Sequence, residues 1–168
     1  MMKILIPVDG SASSLYAARH VSAELLRDPA IEIHLLSVQG RFSRHIAQFL
    51  NRKDLERFYR EEAENKLRSV RDFFDRQDIP YIAHVEVGHK AEIIADMAKR
   101  LGCHHIVMGT ARKNSLTRMV EASVTNRVLE LTTVPVEVIA GDAVSPFERY
   151  GIPAAIGAGL MLLLAIDD

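Results

Sequence analysis

The 168-residue sequence lacks the features of disulfide-rich, zinc-finger and nucleic-acid-binding proteins. It has one cysteine, Cys103, which excludes an intrachain disulfide framework and a zinc-finger scaffold. Its 21 basic and 22 acidic residues give a net charge of −1, without the excess of lysine and arginine that nucleic acid attracts. The apolar stretch before Asp9 is too short for the hydrophobic part of a secretory signal. We therefore expect a cytoplasmic protein that does not bind nucleic acid.

Catalytic and metal-binding signatures are missing as well. The sequence has no Gly-x-Ser-x-Gly, His-Glu-x-x-His or Cys-x-x-Cys motif and no phosphate-binding Gly-Lys-Ser/Thr. Cys103, His104 and His105 are consecutive, and neighbours on a strand point to opposite faces, so these three cannot converge on one ion. His34 and His84 fall in predicted strands, where we expect them to be packed or hydrogen-bonded. The sequence therefore predicts neither an enzyme nor a metal site.

Hydrophobic residues make up 48% of the chain and charged residues 26%, which is typical of one globular domain with a short remainder. Short apolar, β-branched runs alternate with segments of helical periodicity. The strands are predicted at 3–8, 31–38, 79–87, 106–108 and 134–140, and the helices at 12–27, 51–76, 91–101 and 124–131. This β-α-β-α-β-α-β-α-β order predicts an α/β fold, a Rossmann-like five-stranded parallel open sheet with helices on both faces.

Two prolines bear on the order of the strands. Pro135 lies in the fifth run, and because proline cannot donate to a ladder, this strand is predicted at an edge of the sheet. Pro7 lies in the first run, which we expect to be central. That position is compatible with a central strand if Pro7 lies beyond the last ladder hydrogen bond.

The domain is predicted to end near residue 141, and residues 142–168 form an apolar tail. Residues 152–166 contain no polar side chain, and as a helix they would span about 22 Å, short of the roughly 30 Å hydrocarbon core of a membrane. We expect a short helix that packs on its own or a partner subunit. Membrane association and a loose tail are the alternatives.

A candidate phosphate site follows the fourth predicted strand. In open parallel sheets, ligands bind outside the carboxyl ends of the strands. Residues 110–118 carry three cations and no acid, and the loop leads to Ser123 at a helix start, where free N–H groups and the helix dipole favour an anion. An ordinary solvated loop is the alternative interpretation of the same residues.

Five segments resemble the universal stress protein family in the same order along the chain. They are residues 4–11 (ILIPVDGS), 91–94 (AEII), 106–110 (IVMGT), 123–129 (SVTNRVL) and 134–139 (VPVEVI). The resemblance covers about residues 2–140 and implies an adenine nucleotide alpha hydrolase-like fold that is usually dimeric. Some members of this family bind ATP or AMP, whereas others bind no nucleotide and act through partners.

The nucleotide-binding members carry a glycine, two residues, a second glycine, nine residues, and a third glycine followed by Ser or Thr. Here Gly109 and Ser123 match the first and last positions, but Arg112 and Ala122 replace the other two glycines. Side chains at these positions restrict the close approach of the backbone to phosphates. The resemblance therefore implies a degenerate nucleotide-binding loop with weak or absent affinity.

The resemblance also assigns candidate site residues, with Asp9 and Val38 in contact with the base. The nucleotide positions are Asp9, Val38, Met108, Gly109, Arg112, Ala122, Ser123 and Val124, with ATP or AMP as the candidate ligand. The fifth strand is an apolar run at an edge of the predicted sheet, and an unpaired edge can pair with a second chain. We therefore predict a homodimer through Val134, Val136 and Val138. We expect a non-catalytic stress-response regulator that binds an unidentified protein partner. An ATP- or AMP-binding sensor and a membrane-associated regulator that uses the tail are the alternatives.

Overall fold

Strands and helices alternate throughout the computed structural model, which describes residues 1–42, 51–110 and 124–141. In chain order the elements are β1 (Met2–Pro7), α1 (Ala12–Leu25), β2 (Ile31–Gln39), α2 (Arg52–Asp75), β3 (Ile82–Val87), α3 (Lys90–Leu101), β4 (His105–Thr110), α4 (124–131) and β5 (Val136–Ala140). Every predicted element is present, but β3 begins later than predicted. The Ile79 N–H bonds to the Phe74 carbonyl near the end of α2, so residue 79 belongs to the turn after the helix and not to the strand.

The five strands form one parallel sheet in the order β3-β2-β1-β4-β5, which confirms the predicted fold class. β5 lies at an edge, as Pro135 predicted. The N–H groups of Met2 and of Val8, which directly follows β1, bond toward β2, and that of Lys3 bonds toward β4. By this alternation the missing N–H of Pro7 faces β4, beyond the last β1–β4 residue pair at Leu5. A central strand therefore tolerates the proline.

Helices cover both faces of the sheet and create two hydrophobic cores. On one face α1 and α2 pack on the strands, and the largest fully buried side chains are Ile4, Ile6, Ile33, Leu35, Leu67 and Phe74. On the other face α3 and α4 enclose Leu5, Leu36, Ile94, Ile106 and Val128. Full burial of one such side chain contributes about 1.5–3 kcal/mol. Because both faces of the central strands β1, β2 and β4 are covered, these strands are largely buried and mostly apolar, as predicted, whereas the edge strands β3 and β5 are partly exposed.

The helix ends follow local signals in the sequence. Ser11 caps α1 and Asn51 caps α2, each accepting a hydrogen bond from the backbone N–H three residues later. α3 ends at Gly102, whose φ of 65° is the left-handed conformation that favours glycine. These ends fix the helices so that the first turns of α1 and α3 lie near the carboxyl edge of the sheet.

The strand histidines are hydrogen-bonded, as predicted. His34 Nδ1 lies 3.0 Å from His84 Nε2, and His34 Nε2 lies 2.7 Å from Glu32 Oε1. Burial lowers the pKa of His84, and the neighbouring His34 and Arg100 lower it further. The two rings therefore serve the packing of β2 against β3.

The tail predicted at 142–168 lies outside the described residues. No helix within 1–42, 51–110 or 124–141 is long and apolar enough to cross a membrane.

Candidate functional site

A cavity of about 90 Å³ opens where the carboxyl ends of β1, β2 and β4 meet. The central strand β1 has a neighbour on each side there, and this is the position at which open parallel sheets bind ligands. The apolar part of the wall comes from Pro7, Val8, Leu36, Val38, Ile94, Met108 and Val124. The polar part comes from Asp9, Ser14, Lys90 and Thr125, with Gly109 at the end of β4. One wall thus suits a flat apolar ring and the other suits polar groups.

The structure brings five of the predicted nucleotide residues to this one cavity. They are Asp9, Val38, Met108, Gly109 and Val124. These residues come from β2, β4, the loop after β1 and the first described turn of α4. The other three predicted positions, Arg112, Ala122 and Ser123, lie outside the described residues.

The Asp9 carboxylate is held by one of its two oxygens. Asp9 Oδ1 accepts hydrogen bonds from the Ser11 N–H at 3.0 Å, the Ser11 hydroxyl at 2.6 Å and the Ser14 hydroxyl at 2.6 Å. The Asp9 N–H in turn donates to Ser14 Oγ at 3.1 Å. Within the described part of the chain, Asp9 Oδ2 accepts no hydrogen bond. The carboxylate therefore has a fixed orientation and one oxygen available to a ligand.

The same contacts set the charge of Asp9. Partial burial raises the pKa of the carboxyl group, but the hydrogen bonds from Ser11 and Ser14 and the positive charge of Lys90 lower it by more. The net pKa of Asp9 lies below its ordinary value of 3.8. At neutral pH the group is ionised, so that it can only accept hydrogen bonds.

Gly109 is required by the packing of α1 on β4. A Cβ placed on Gly109 would lie 1.8 Å from the carbonyl oxygen of Ser13 and 3.0 Å from its α-carbon. Such a contact is impossible without moving backbone. The motif that the sequence resembles implies that Gly109 lets the backbone approach a phosphate, but the packing of α1 already requires glycine there.

Sequence analysis missed three polar residues of the cavity. Lys90 is the first residue of α3, Ser14 lies in the first turn of α1, and Thr125 is 7% exposed in α4. The Thr125 hydroxyl makes no hydrogen bond to any residue of the described ranges. A sequence signal existed for Ser14, whose spacing from Ser11 is that of a helix cap, and for Lys90, which closely follows a strand end. Nothing in the sequence distinguishes Thr125 from other helical threonines.

The cavity combines three recognition elements. Its apolar wall can pack on a ring, and Asp9 Oδ2 can accept from an N–H donor. The Lys90 ammonium attracts negative charge and the Thr125 hydroxyl can donate a hydrogen bond, so an anionic group would be stabilised beside them. These elements suit a ligand with a donor-bearing ring at one end and an anion at the other.

The family model and the curated relatives that match this chain all belong to one family. The model of the universal stress protein family matches residues 1–140. Universal stress protein MJ0577 of Methanocaldococcus jannaschii is 28% identical over 154 residues, covering 82% of this chain and 93% of the relative. Universal stress protein MJ0531 of the same organism is 27% identical over 143 residues, covering 82% and 81%.

Solved structures show the same fold. The structure of MJ0577 superposes with a TM-score of 0.66 at 27% identity, covering 84% of this chain and 97% of that one. The universal stress protein of Archaeoglobus fulgidus in complex with dAMP gives 0.60 at 18% identity, covering 83% and 98%. An Arabidopsis thaliana family protein with AMP bound gives 0.58 at 18% identity, covering 85% and 94%.

Proposed function

The chain belongs to the universal stress protein family, and we propose that it is a non-catalytic regulator whose cavity binds an adenine nucleotide weakly. In this proposal AMP is preferred over ATP. The protein acts as a homodimer in the cytoplasm and exerts its effect on the stress response through contacts with a protein partner.

The half-satisfied Asp9 carboxylate is the observation that carries the proposal. Three hydrogen bonds from Ser11 and Ser14 hold Oδ1, while Oδ2 accepts none from residues 1–42, 51–110 or 124–141 and lies beside an apolar wall that includes Val38. Adenine offers an exocyclic amino group as a donor and a flat ring for the wall. The dAMP- and AMP-bound relatives support this choice, because both of those ligands are nucleoside monophosphates with adenine as the base.

The opposite end of the cavity favours a small anion. Thr125 can donate its hydroxyl hydrogen, and the Lys90 ammonium supplies a positive charge. Arg112 and Ala122 stand where nucleotide-binding relatives have glycines, and they limit how many backbone N–H groups can close on a polyphosphate. The preference for a monophosphate follows from this difference.

The proposed absence of catalysis rests on Ser14 and Asp9, the one hydrogen-bonded hydroxyl and carboxylate among the described cavity residues. Ser14 donates its hydroxyl hydrogen to Asp9, as a nucleophile would to its base. However, the pKa of Asp9 lies below its ordinary value, so the carboxylate is a poor proton acceptor at neutral pH. Ser14 Oγ also accepts the Asp9 N–H, which restrains it further.

The test is nucleotide binding by the full chain and two variants. Native mass spectrometry shows any co-purified nucleotide, and calorimetry compares AMP with ATP. In Asp9→Asn the amide oxygen can keep the three hydrogen bonds from Ser11 and Ser14. The amide NH₂ then faces the adenine amino group, and two donors cannot form a hydrogen bond. We expect AMP affinity to fall about tenfold, the loss of one charge-assisted hydrogen bond.

Asp96→Asn is the matched control, because Asp96 is an exposed carboxylate on α3 outside the cavity. It should bind AMP as the parent does. Tight ATP binding by the parent at low-micromolar concentration would contradict the proposal and favour the ATP-sensor alternative. The membrane-associated alternative depends on the tail, which lies outside the described residues.

A further inference from the structure

Three metal-ligating side chains converge on the α1–β5 side of the sheet. His20 and Glu24 lie one turn apart on α1, and Glu137 projects from β5. His20 Nε2 is 2.8 Å from Glu137 Oε1 and 3.5 Å from Glu24 Oε1, and the three ligand atoms all lie within 4.8 Å of one another. None of the three lines the nucleotide cavity. The cluster is therefore a separate feature of the molecule.

Hydrogen bonding does not account for the position of His20 Nε2. The His20 side chain is 35% exposed as a whole, but its Nε2 atom has less than 1 Å² of accessible surface. Despite its short distances to Glu24 and Glu137, Nε2 makes no hydrogen bond of acceptable geometry with any described residue. A shielded imidazole nitrogen between two carboxylate oxygens, without a hydrogen bond, is an arrangement that a shared cation would stabilise.

The separations match those of ligands around a small divalent ion. Zinc binds histidine nitrogen and carboxylate oxygen at about 2.0–2.2 Å, so tetrahedral ligands stand roughly 3.3 Å apart. The observed 2.8 and 3.5 Å from His20 Nε2 lie on either side of this value. One neutral imidazole and two carboxylates also carry two negative charges, which balance a divalent cation.

We propose that His20, Glu24 and Glu137 form a zinc site whose fourth position is taken by water. The mixed nitrogen and oxygen donors favour a transition metal over magnesium or calcium, which prefer oxygen alone. Zinc takes tetrahedral sites of this kind, with three protein ligands and one water, whereas copper(II) and nickel(II) prefer square-planar or tetragonal geometry. The bound ion would join α1 to the edge strand β5.

This site escaped sequence analysis because its ligands are distant in the chain. His20 and Glu24 show helical spacing, but Glu137 joins them only because β5 pairs with β4 in the register Val107↔Glu137.

The experiment is a zinc titration of the untagged full chain after treatment with a chelator. Calorimetry measures affinity and stoichiometry, and thermal unfolding measures the shift of the midpoint with zinc. The variants are His20→Gln and Glu137→Gln, and circular dichroism establishes that each is folded. His89→Gln is the matched control, because His89 is an exposed histidine that belongs to neither site.

We expect one zinc per chain in the parent and in His89→Gln, and a zinc-dependent rise of their unfolding midpoints. His20→Gln and Glu137→Gln should each bind zinc about tenfold more weakly or worse, since even the loss of residues behind a metal ligand has effects of that size. If His20→Gln fails to fold, Glu137→Gln decides the question by the same measurements. If the parent shows no saturable zinc binding, or if a folded His20→Gln or Glu137→Gln variant binds zinc as tightly as the parent, the proposal is overturned. The three side chains would then form only an ion pair without a metal.

Discussion

Gly109 and Ser13 are in such close contact that the first turn of α1 lies directly on the backbone of β4: a Cβ at Gly109 would stand 1.8 Å from the Ser13 carbonyl oxygen. The same turn carries Ser14, which holds the Asp9 carboxylate. The packing of α1 on β4 therefore positions the polar group on which nucleotide recognition depends. A glycine that the family motif assigns to a ligand has a structural role in this chain.

Replacing Gly109 with alanine should destabilise the protein. The added methyl group meets backbone atoms that cannot rotate away, so we expect Gly109→Ala to lower the free energy of unfolding by about 3 kcal/mol. Gly40→Ala is the control, because a Cβ at Gly40 meets nothing within 4 Å, and its effect should stay within about 1 kcal/mol. Urea unfolding measures both. Equal stability of Gly109→Ala and the parent would show that the start of α1 can move away from β4.

The contribution of Asp9 to stability should disappear in acid. Since its pKa is lower in the folded protein, the stabilisation is present above the ordinary value of 3.8 and is lost as pH falls through the folded pKa. We expect Asp9→Asn to be about 1 kcal/mol less stable than the parent at pH 7, a small value because the partly buried Asp9 keeps enough contact with solvent for its charge to be screened.

Urea unfolding over a pH series checks this dependence on Asp9. The difference between parent and Asp9→Asn should shrink as pH falls below 3.8. Asp96→Asn, with its exposed position on α3, should show no comparable difference. A gap between parent and Asp9→Asn that stays constant down to the acid transition would contradict the assigned direction of the pKa shift.

A positive charge on β5 should weaken the proposed dimer. Val138 is 43% exposed on this edge strand, whereas Val136 packs partly against the second core, so Val138→Lys is the cleaner variant. Val85→Lys is the control, since Val85 is 44% exposed on the opposite edge strand β3. In sedimentation velocity, Val138→Lys should shift toward monomer and Val85→Lys should sediment as the parent does. A monomeric parent, or a Val138→Lys variant as dimeric as the parent, would reject this interface.

Restoring the two missing glycines should strengthen ATP binding. We expect Arg112→Gly combined with Ala122→Gly to raise ATP affinity about tenfold or more, a gain of roughly 1.4 kcal/mol or above, because backbone N–H groups could then approach the phosphates. Lys113→Gly is the control, as it removes a cation and adds a glycine outside the motif. Calorimetry with ATP compares the three proteins. A similar gain in Lys113→Gly, or none in the double variant, would mean that Arg112 and Ala122 do not limit binding.

The fold could be predicted from the sequence because its signals are local. Apolar runs and helical periodicity located every element, and Pro135 alone assigned β5 to an edge. The start of β3 was wrong by three residues, since the bond from the Ile79 N–H to Phe74 depends on how α2 ends. Boundaries of this kind are decided by single hydrogen bonds that no periodicity reports.

The site was predictable only in part. Asp9 and Val38 follow or end strands, so their meeting at the carboxyl edge follows from topology. Lys90 and Thr125 reach the same cavity from helices on one face, and this requires knowledge of how α3 and α4 pack. The His20 and Glu137 contact depends on strand register and helix position together, and it was invisible in the sequence.

The strand order has a consequence for biosynthesis. β1 and β4 are neighbours in the finished sheet, yet the hydrogen bond from the Lys3 N–H to His104 joins residues 101 apart. At about 5–20 residues per second, the ribosome needs roughly 5–20 s to make that stretch. During that time β1 can pair with β2 while its other side stays open to solvent and to other nascent chains. Pro7 has no N–H on that side, so it offers one hydrogen-bond donor fewer to another chain. A proline in the central strand of the mature sheet thus limits wrong strand pairing while the chain is being made.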